Sequence, residues 1–313
     1  MGLTGLWIAL VIVGAELLYG VVKYTTAPTT EARREGVQEL QSLVYGAVFT
    51  IIMWYYVDNA PTIANQLAGA LGLGGYMPAS VDAGLKTVYN EELGPLGLVW
   101  EYALIYAILG VASVLPYAHT FSAILNNYFR FFMDALEYTI MNGIALYAIG
   151  LFLKYSLALG IVPLMTTLLI PARTRPIAAG FIATYLVLSI TWPVLVAVFN
   201  MVYVNYAQLF LTWLNSLTTC PEVQWLQQWL PWLSHLNNPI MEGILCFFLR
   251  GAVAEFYTQT IKGLFMINYY AFWMIVYDAL MDVAIAIAMY IIWWLAGLIE
   301  EGAGALFTIG KIG

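Results

Sequence analysis

Apolar runs of roughly twenty residues, parted by short polar connections, recur along the whole chain. A helix rises about 1.5 Å per residue, so a run of that length matches the roughly 30 Å hydrocarbon thickness of a bilayer. Leu3 to Val22 is the first such run, and Gln41 to Val57 the second. Gly97 to Val114 comes third, then 177 to 203, then Gly263 to Leu298. The forty residues from Phe131 to Ile170 are too long for one crossing, and the pattern predicts two short spans, about 135–153 and 155–170, meeting at Lys154, the second needing local thinning of the bilayer or being a partly re-entrant element. The expected fold is therefore all-α: a polytopic transmembrane helical bundle of about seven spans, forming one membrane domain over residues 1–313.

The connections set the orientation, because Lys and Arg mark the cytoplasmic side. Residues 23–40 carry Lys23, Arg33 and Arg34 among Glu31, Glu35 and Glu39, whose i,i+4 spacing predicts a solvated helical extension of the next span. A short turn at 119–133 holds His119 and Arg130, with Asp134 and Glu137 at the interface just beyond it. The third cytoplasmic connection, 172–176, is a proline-bracketed turn, Pro171-Ala-Arg173-Thr-Arg175-Pro176, since proline disfavours a helix running through it. Its two arginines stand with no acidic residue nearby, and counting from them places the N-terminus outside.

Two longer segments fall on the outer side. In 58–96 the cations are few, and Val81, Leu85, Val88 and Tyr89 recur at helical spacing behind a joint of Gly72, Gly74 and Gly75. That amphipathic helix either lies on the membrane surface or caps the protein's own bundle. In 205–260, Trp225, Trp229 and Trp232 fill one side of a helix whose other side is Gln224, Gln227, Gln228, Pro231 and His235. Indole rings favour the headgroup layer, so this segment is expected to lie flat in it. Cys220 and Cys246 flank it, and an oxidising exterior permits a disulfide between them; two unconnected buried thiols are the alternative.

Composition agrees with the bilayer as solvent. The 313 residues are 62% hydrophobic and only 9% charged, too few charges to cover so apolar a chain in water, and the mean hydropathy is +0.82. A net charge of −7 with eleven Lys and Arg argues against a sequence-independent grip on nucleic acid. The two cysteines, Cys220 and Cys246, and the two histidines, His119 and His235, lack the close paired spacing of a Cys/His zinc finger. There is no G-x-x-x-x-G-K-[ST] loop, no H-E-x-x-H and no G-x-S-x-G elbow. No catalytic residue, metal ligand or cofactor site is expected, and the chain does not read as an enzyme.

Three carboxylates fall within apolar runs: Glu16, Asp278 and Asp282. Ionisable groups at membrane depth are costly and mark ion or proton paths when they face a bundle interior. Glu16 could equally face neighbouring helices or the headgroups. Asp278 and Asp282 share a helix face at i,i+4 and would form a cation site or polar seam if mid-membrane. They would simply be wet at a hairpin turn, or on a long tilted helix reaching beyond the bilayer.

The short apolar span, the proline and arginine turn, the small-residue start Ala178-Ala179-Gly180 and the close on Trp192-Pro193 together resemble a known signature. The region Tyr155 to Val204 is similar to the polytopic inner-membrane subunits of type IV secretion and conjugation systems. More narrowly, it resembles the membrane protein of the crenarchaeal DNA-import (Ced) apparatus. The resemblance implies a non-enzymatic channel or platform subunit in the plasma membrane. It would be homo-oligomeric, surrounded by membrane lipid and small pilin-like membrane subunits, and served by a separate cytoplasmic ATPase, with DNA as the transported substrate. It also makes Arg173 and Arg175 the candidates for a cytoplasmic contact with that ATPase or with DNA, beside their role in setting topology. A small-solute or ion transporter using Glu16, Asp278 and Asp282, and a structural subunit of a larger membrane complex, are the rival readings.

Overall fold

A computed structural model of the protein describes residues 2–89, 103, 119–202, 225, 228–230 and 256–309. These residues form seven α-helices, one short 3-10 turn at Gly74–Tyr76 and no strand. The helices are α1 (Gly2–Thr26), α2 (Thr30–Ala70), α3 (Val81–Val88), α4 (His119–Ala158), α5 (Ile161–Thr167), α6 (Arg175–Val202) and α7 (Phe256–Ile309). Four stretches of them are long and apolar enough to cross a membrane: Thr30–Ala70, Arg130–Ala158, Arg175–Val202 and Asn268–Glu300.

The chain divides into two compact units. One comprises Met1–Asp82, Ala148–Leu195 and Val283–Gly313; the other comprises Ala83–Tyr147 and Val196–Asp282.

In the first unit, α1 ends just before Pro28, and Thr29 caps α2 by accepting a hydrogen bond from the Ala32 amide at 3.3 Å. The two helices then run antiparallel in close contact. A Cβ on Gly36 would sit 2.9 Å from the Tyr24 backbone nitrogen, so glycine is what allows the approach. Helix α2 joins the expected solvated extension to the second span as one helix of 41 residues, about 60 Å long. It buries one narrow seam, Leu43, Gly46, Met53, Ala60, Ala64 and Ala68. Its other side leaves Val44, Val48, Ile51 and Tyr55 exposed, at spacings of four, three and four. A continuous exposed apolar face of this kind needs an apolar solvent or a partner.

Two sequence expectations are corrected between residues 119 and 170. The polar turn at 119–133 is instead about the first four turns of α4, which continues unbroken to Ala158. Lys154 does not mark a turn either. It lies within α4 and reaches an ion pair with Asp82 at 2.8 Å, its long stem allowing the charge to leave the apolar face. The chain breaks six residues later, at Gly160, whose φ of 71° is the left-handed conformation that glycine adopts without a Cβ clash. The next helix, α5, has seven residues and is about 10 Å long, too short to be the crossing expected at 155–170.

The hinge before α3 contains Gly72 at φ 73°, and Leu85 and Val88 of α3 are buried within the chain. That burial favours the cap over the surface helix among the two expectations for this segment. In the second unit, Phe132, Leu136 and Leu146 of α4 and Tyr277 and Met281 of α7 are buried, and the Phe199 and Tyr277 rings meet edge-on at 5.3 Å. Helix α7 is a single helix of 54 residues, about 80 Å, so no hairpin turn occurs at Asp278 and Asp282. Along it Val283, Ile287, Tyr290 and Trp294 are exposed, again at spacings of four, three and four.

Candidate functional site

The proline and arginine turn closes a charged cleft in the first unit. Helix α5 ends at Thr167, leaving carbonyls with no partner in a further turn of helix, and Pro171 prevents that turn from forming. Arg175 supplies the missing donors. Its Nε donates to the Leu169 carbonyl at 3.0 Å, and its Nη2 donates to the Ile170 carbonyl at 3.1 Å. The same Nη2 donates to the carbonyl and the hydroxyl of Ser42 on α2, both at 3.2 Å. Thr174 adds a hydroxyl bond to the Leu168 carbonyl at 2.8 Å. Helix α6 then starts at Arg175 with Pro176 in its first turn, a position where the absent N–H costs nothing.

The turn can sit this close to α2 only because residue 46 is glycine. A Cβ there would collide with the Ile170 carbonyl oxygen and lie 2.8 Å from its Cα. Thr50, one turn on, donates to the Thr166 carbonyl at 3.1 Å and ties α2 to α5.

The two arginines therefore have different situations. Arg175 is buried and committed to backbone carbonyls, while Arg173 is exposed, its guanidinium 5.7 Å from the centre of the Tyr19 ring. Lys23 approaches the same ring at 5.5 Å. Among the described residues Arg173 is within ion-pair distance of no carboxylate; Lys23 has two, Glu35 at 3.0 Å and Glu39 at 3.3 Å. The hydrogen bond from Lys23 to Glu35, together with that to Glu39, raises the Lys23 pKa above its ordinary value of 10.5. The tie between α1 and α2 is thus fully present below that value and is lost as pH rises through the higher folded one.

These groups surround a cavity of about 770 Å³. Its charged lining is Lys23, Arg173 and Arg175 against Glu16, Glu35 and Glu39, three of each sign. Ile12, Ala15 and Leu43 continue the wall as apolar surface. The sequence marks Glu16, Arg173 and Arg175 as separate candidates, and the structure brings all three to this cleft. Tyr19, Ser42 and Gly46 do not stand out from the sequence in the same way. Glycine in the middle of an apolar helical run was the signal for Gly46, since it weakens a helix unless something approaches closely.

The other carboxylates sit elsewhere. Asp278 belongs to the second unit, is buried, and accepts two hydrogen bonds from α4: Thr139 Oγ1 to Oδ2 and Asn142 Nδ2 to Oδ1, each 2.9 Å. It is a polar clamp between α4 and α7, of the sort that holds membrane helices together. Asp282, one turn on, is exposed. Among the described residues no three Asp, Glu, His or Cys side chains come together in a way that could hold a metal ion. Thr139 and Asn142, a polar pair at i,i+3 inside an apolar run, were the sequence signal for the clamp.

A second cavity of about 380 Å³ lies at the far end of α2 in the first unit, lined by Asp58, Pro61, Tyr185, Ser189, Trp192 and Pro193 among others. Both prolines lie inside helices and lack the N–H that would bond the carbonyl four residues back, on Val57 and Ser189. In the tryptophan segment, Trp225, Gln228 and Trp229 are helical and exposed, with the two indoles 6.0 Å apart. Trp232, Cys220 and Cys246 lie outside the described residues, so the expected disulfide does too. Compared with known proteins, the chain matches no family model, no curated protein and no solved structure.

Proposed function

We propose that the chain is a plasma-membrane, multi-pass subunit of a conjugation-like DNA-transfer machine, acting as a non-enzymatic platform or channel component. The likeness of residues 155–204 to type IV secretion membrane subunits supplies the class. The observation that carries the reading onto this chain is the state of its arginine turn. Arg175 locks the turn onto α2 and fixes the backbone beside Arg173, which stands exposed at the cleft with no acidic partner among the described residues. A fixed cation at the cytoplasmic end of a bundle suits contact with an acidic patch of a cytoplasmic ATPase. The apolar faces of α2 and α7 suit lipid, further copies of the chain and small membrane subunits. With only eleven Lys and Arg in the whole chain, a neutral path or an assembly platform fits better than tight DNA binding.

Deletion of the gene tests the class: DNA transfer between cells is expected to stop and to return with the intact gene. Transfer at the wild-type rate in the deletion strain would overturn the proposal. Arg173→Glu is expected to stop transfer while the protein still inserts, and to abolish co-purification of the ATPase.

The buried Asp278 favours one other reading, an ion- or proton-coupled transporter. Asp278→Asn keeps the shape of the clamp and removes its charge. Loss of a pH-driven flux in that variant, reconstituted in vesicles, would establish the transporter; DNA transfer unaffected by it is the outcome expected here.

A further inference from the structure

The arginine cleft has the make-up of a headgroup site, and we infer that it holds one phospholipid whose head carries both a phosphate and a primary amine. The inference rests on the membrane placement proposed above; it shares Arg173 with the proposed ATPase contact but is read out by lipid retention alone.

The first observation is charge. The lining carries three cations and three carboxylates, so a bare anion would meet as much repulsion as attraction. A zwitterion matches both sets at once. The second is unmet hydrogen bonding. Arg175 uses Nε and Nη2 on carbonyls and Ser42, while its Nη1 makes no hydrogen bond among the described residues. Among the described residues, the exposed Arg173 guanidinium has only the Tyr19 ring. Together they offer donors suited to phosphate oxygens. On the other wall, Glu39 engages Lys23 through Oε1, but its Oε2 is shut off from solvent and accepts no hydrogen bond. An entering ammonium would meet Glu39 at Oε1, the oxygen beside Lys23, and Glu35 next to it, so the two carboxylates that already hold one ammonium would hold a second.

The third observation is the gradient along the cleft. From Lys23 and Glu35 the wall passes through Tyr19, Glu39 and Glu16 to Ile12, Ala15 and Leu43, the charge thinning along two antiparallel helices. A soluble zwitterion has no use for the apolar end, whereas an acyl chain does. The volume, about 770 Å³, lies within the roughly 300–1,000 Å³ typical of ligand sites and has room for a head and the first part of a chain.

The test uses the full-length chain, delipidated in mild detergent and then offered defined lipids, with retained lipid read by native mass spectrometry. Phosphatidylethanolamine is expected to be retained about tenfold better than phosphatidylcholine, whose quaternary ammonium donates no hydrogen bond, and better than phosphatidylglycerol, which has no amine. This series uses the wild-type protein and needs no variant to fold. Arg173→Ala should weaken all three lipids alike, because it removes a phosphate donor at an exposed position. Glu39→Gln should erase the preference for the amine and leave phosphate binding in place. Equal retention of the three lipids, or unchanged retention in Arg173→Ala, would overturn the inference. Displacement by soluble glycerophosphoethanolamine at the same concentration would overturn the lipid as occupant. Loss of DNA transfer on gene deletion together with equal lipid retention would leave the proposed role standing and remove only this site.

Discussion

Arg173 and Arg175 stand two residues apart and should answer mutation in opposite ways. Arg175→Met leaves the Leu169 and Ile170 carbonyls and Ser42 without their donor in a buried place. Unmet buried acceptors cost about 1–3 kcal/mol each, and the loss is partly relieved by relaxation, so a net destabilisation of about 2–4 kcal/mol is expected. Arg173→Ala removes an exposed side chain and should stay within about 0.5 kcal/mol of wild type. Unfolding of the two variants in mild detergent checks this, and equal effects would refute the division of roles. Gly46 gives a companion case. A methyl group there would have to displace backbone atoms of Ile170, not the flexible end of a side chain. Gly46→Ala is therefore expected to destabilise by about 1–3 kcal/mol, despite alanine's better helix propensity, and an unchanged or raised unfolding midpoint would show that the turn is not packed on α2 as described.

Among elements, the clamp between α4 and α7 carries the clearest expectation. Each hydrogen bond to Asp278 crosses between helices, and such bonds in membrane proteins average about 0.6 kcal/mol and reach about 1.7. Thr139→Val and Asn142→Leu should each cost about 0.6–1.7 kcal/mol, and their effects should not add when Asp278→Leu, which removes the shared acceptor, is already present. Additive effects in a double-mutant cycle would mean that the residues do not form one unit. The elements also show what a sequence can reveal. Hydropathy was enough to mark the apolar middle of α2, α6 and the apolar part of α7, because the bilayer imposes length and composition on any helix within it, but not that α2 runs on to Ala70 through residues expected to open the external segment. The two-span division expected for 131–170 fails for a physical reason. A lysine in an apolar run can reach a carboxylate on another element, as Lys154 reaches Asp82, so its charge does not require a turn. The true break rests on the φ of Gly160, one glycine among several in the region, and its sequence alone does not distinguish it. The cleft was legible only in pieces: Glu16 and Arg173 are separated by more than 150 positions, and nothing local says that they share a wall. The difference between the two arginines depends on where α5 stops, which no pattern of charges encodes.

At the scale of the whole molecule, the deciding matter is which ends of these helices lie on which side of the membrane, and the first unit permits a direct test. Helix α2 is about 60 Å long, and the packing of Arg175 on Ser42 and of Ile170 against Gly46 places the arginine turn beside its N-terminal half. Arg34 and Arg173 are then expected on one side of the membrane, and Gln66, exposed near the far end of α2, on the other. Single cysteines at 34, 173 and 66, in a background with Cys220 and Cys246 changed to serine, separate the sides. A membrane-impermeant maleimide added to intact cells should label position 66 and spare 34 and 173; opening the cells should expose all three. The rule that lysine and arginine stay inside requires this orientation, and the rule counts those residues and not net charge, so the glutamates of 23–40 do not weaken it. Restoring the native pair in the same assay extends the reading to the tryptophan segment: Cys220 and Cys246 should label in intact cells only after reduction if they are bridged on the outer face. Labelling of 34 and 173 from outside would invert the protein. Arg173 would then face away from any cytoplasmic ATPase, and the platform reading would fail with it.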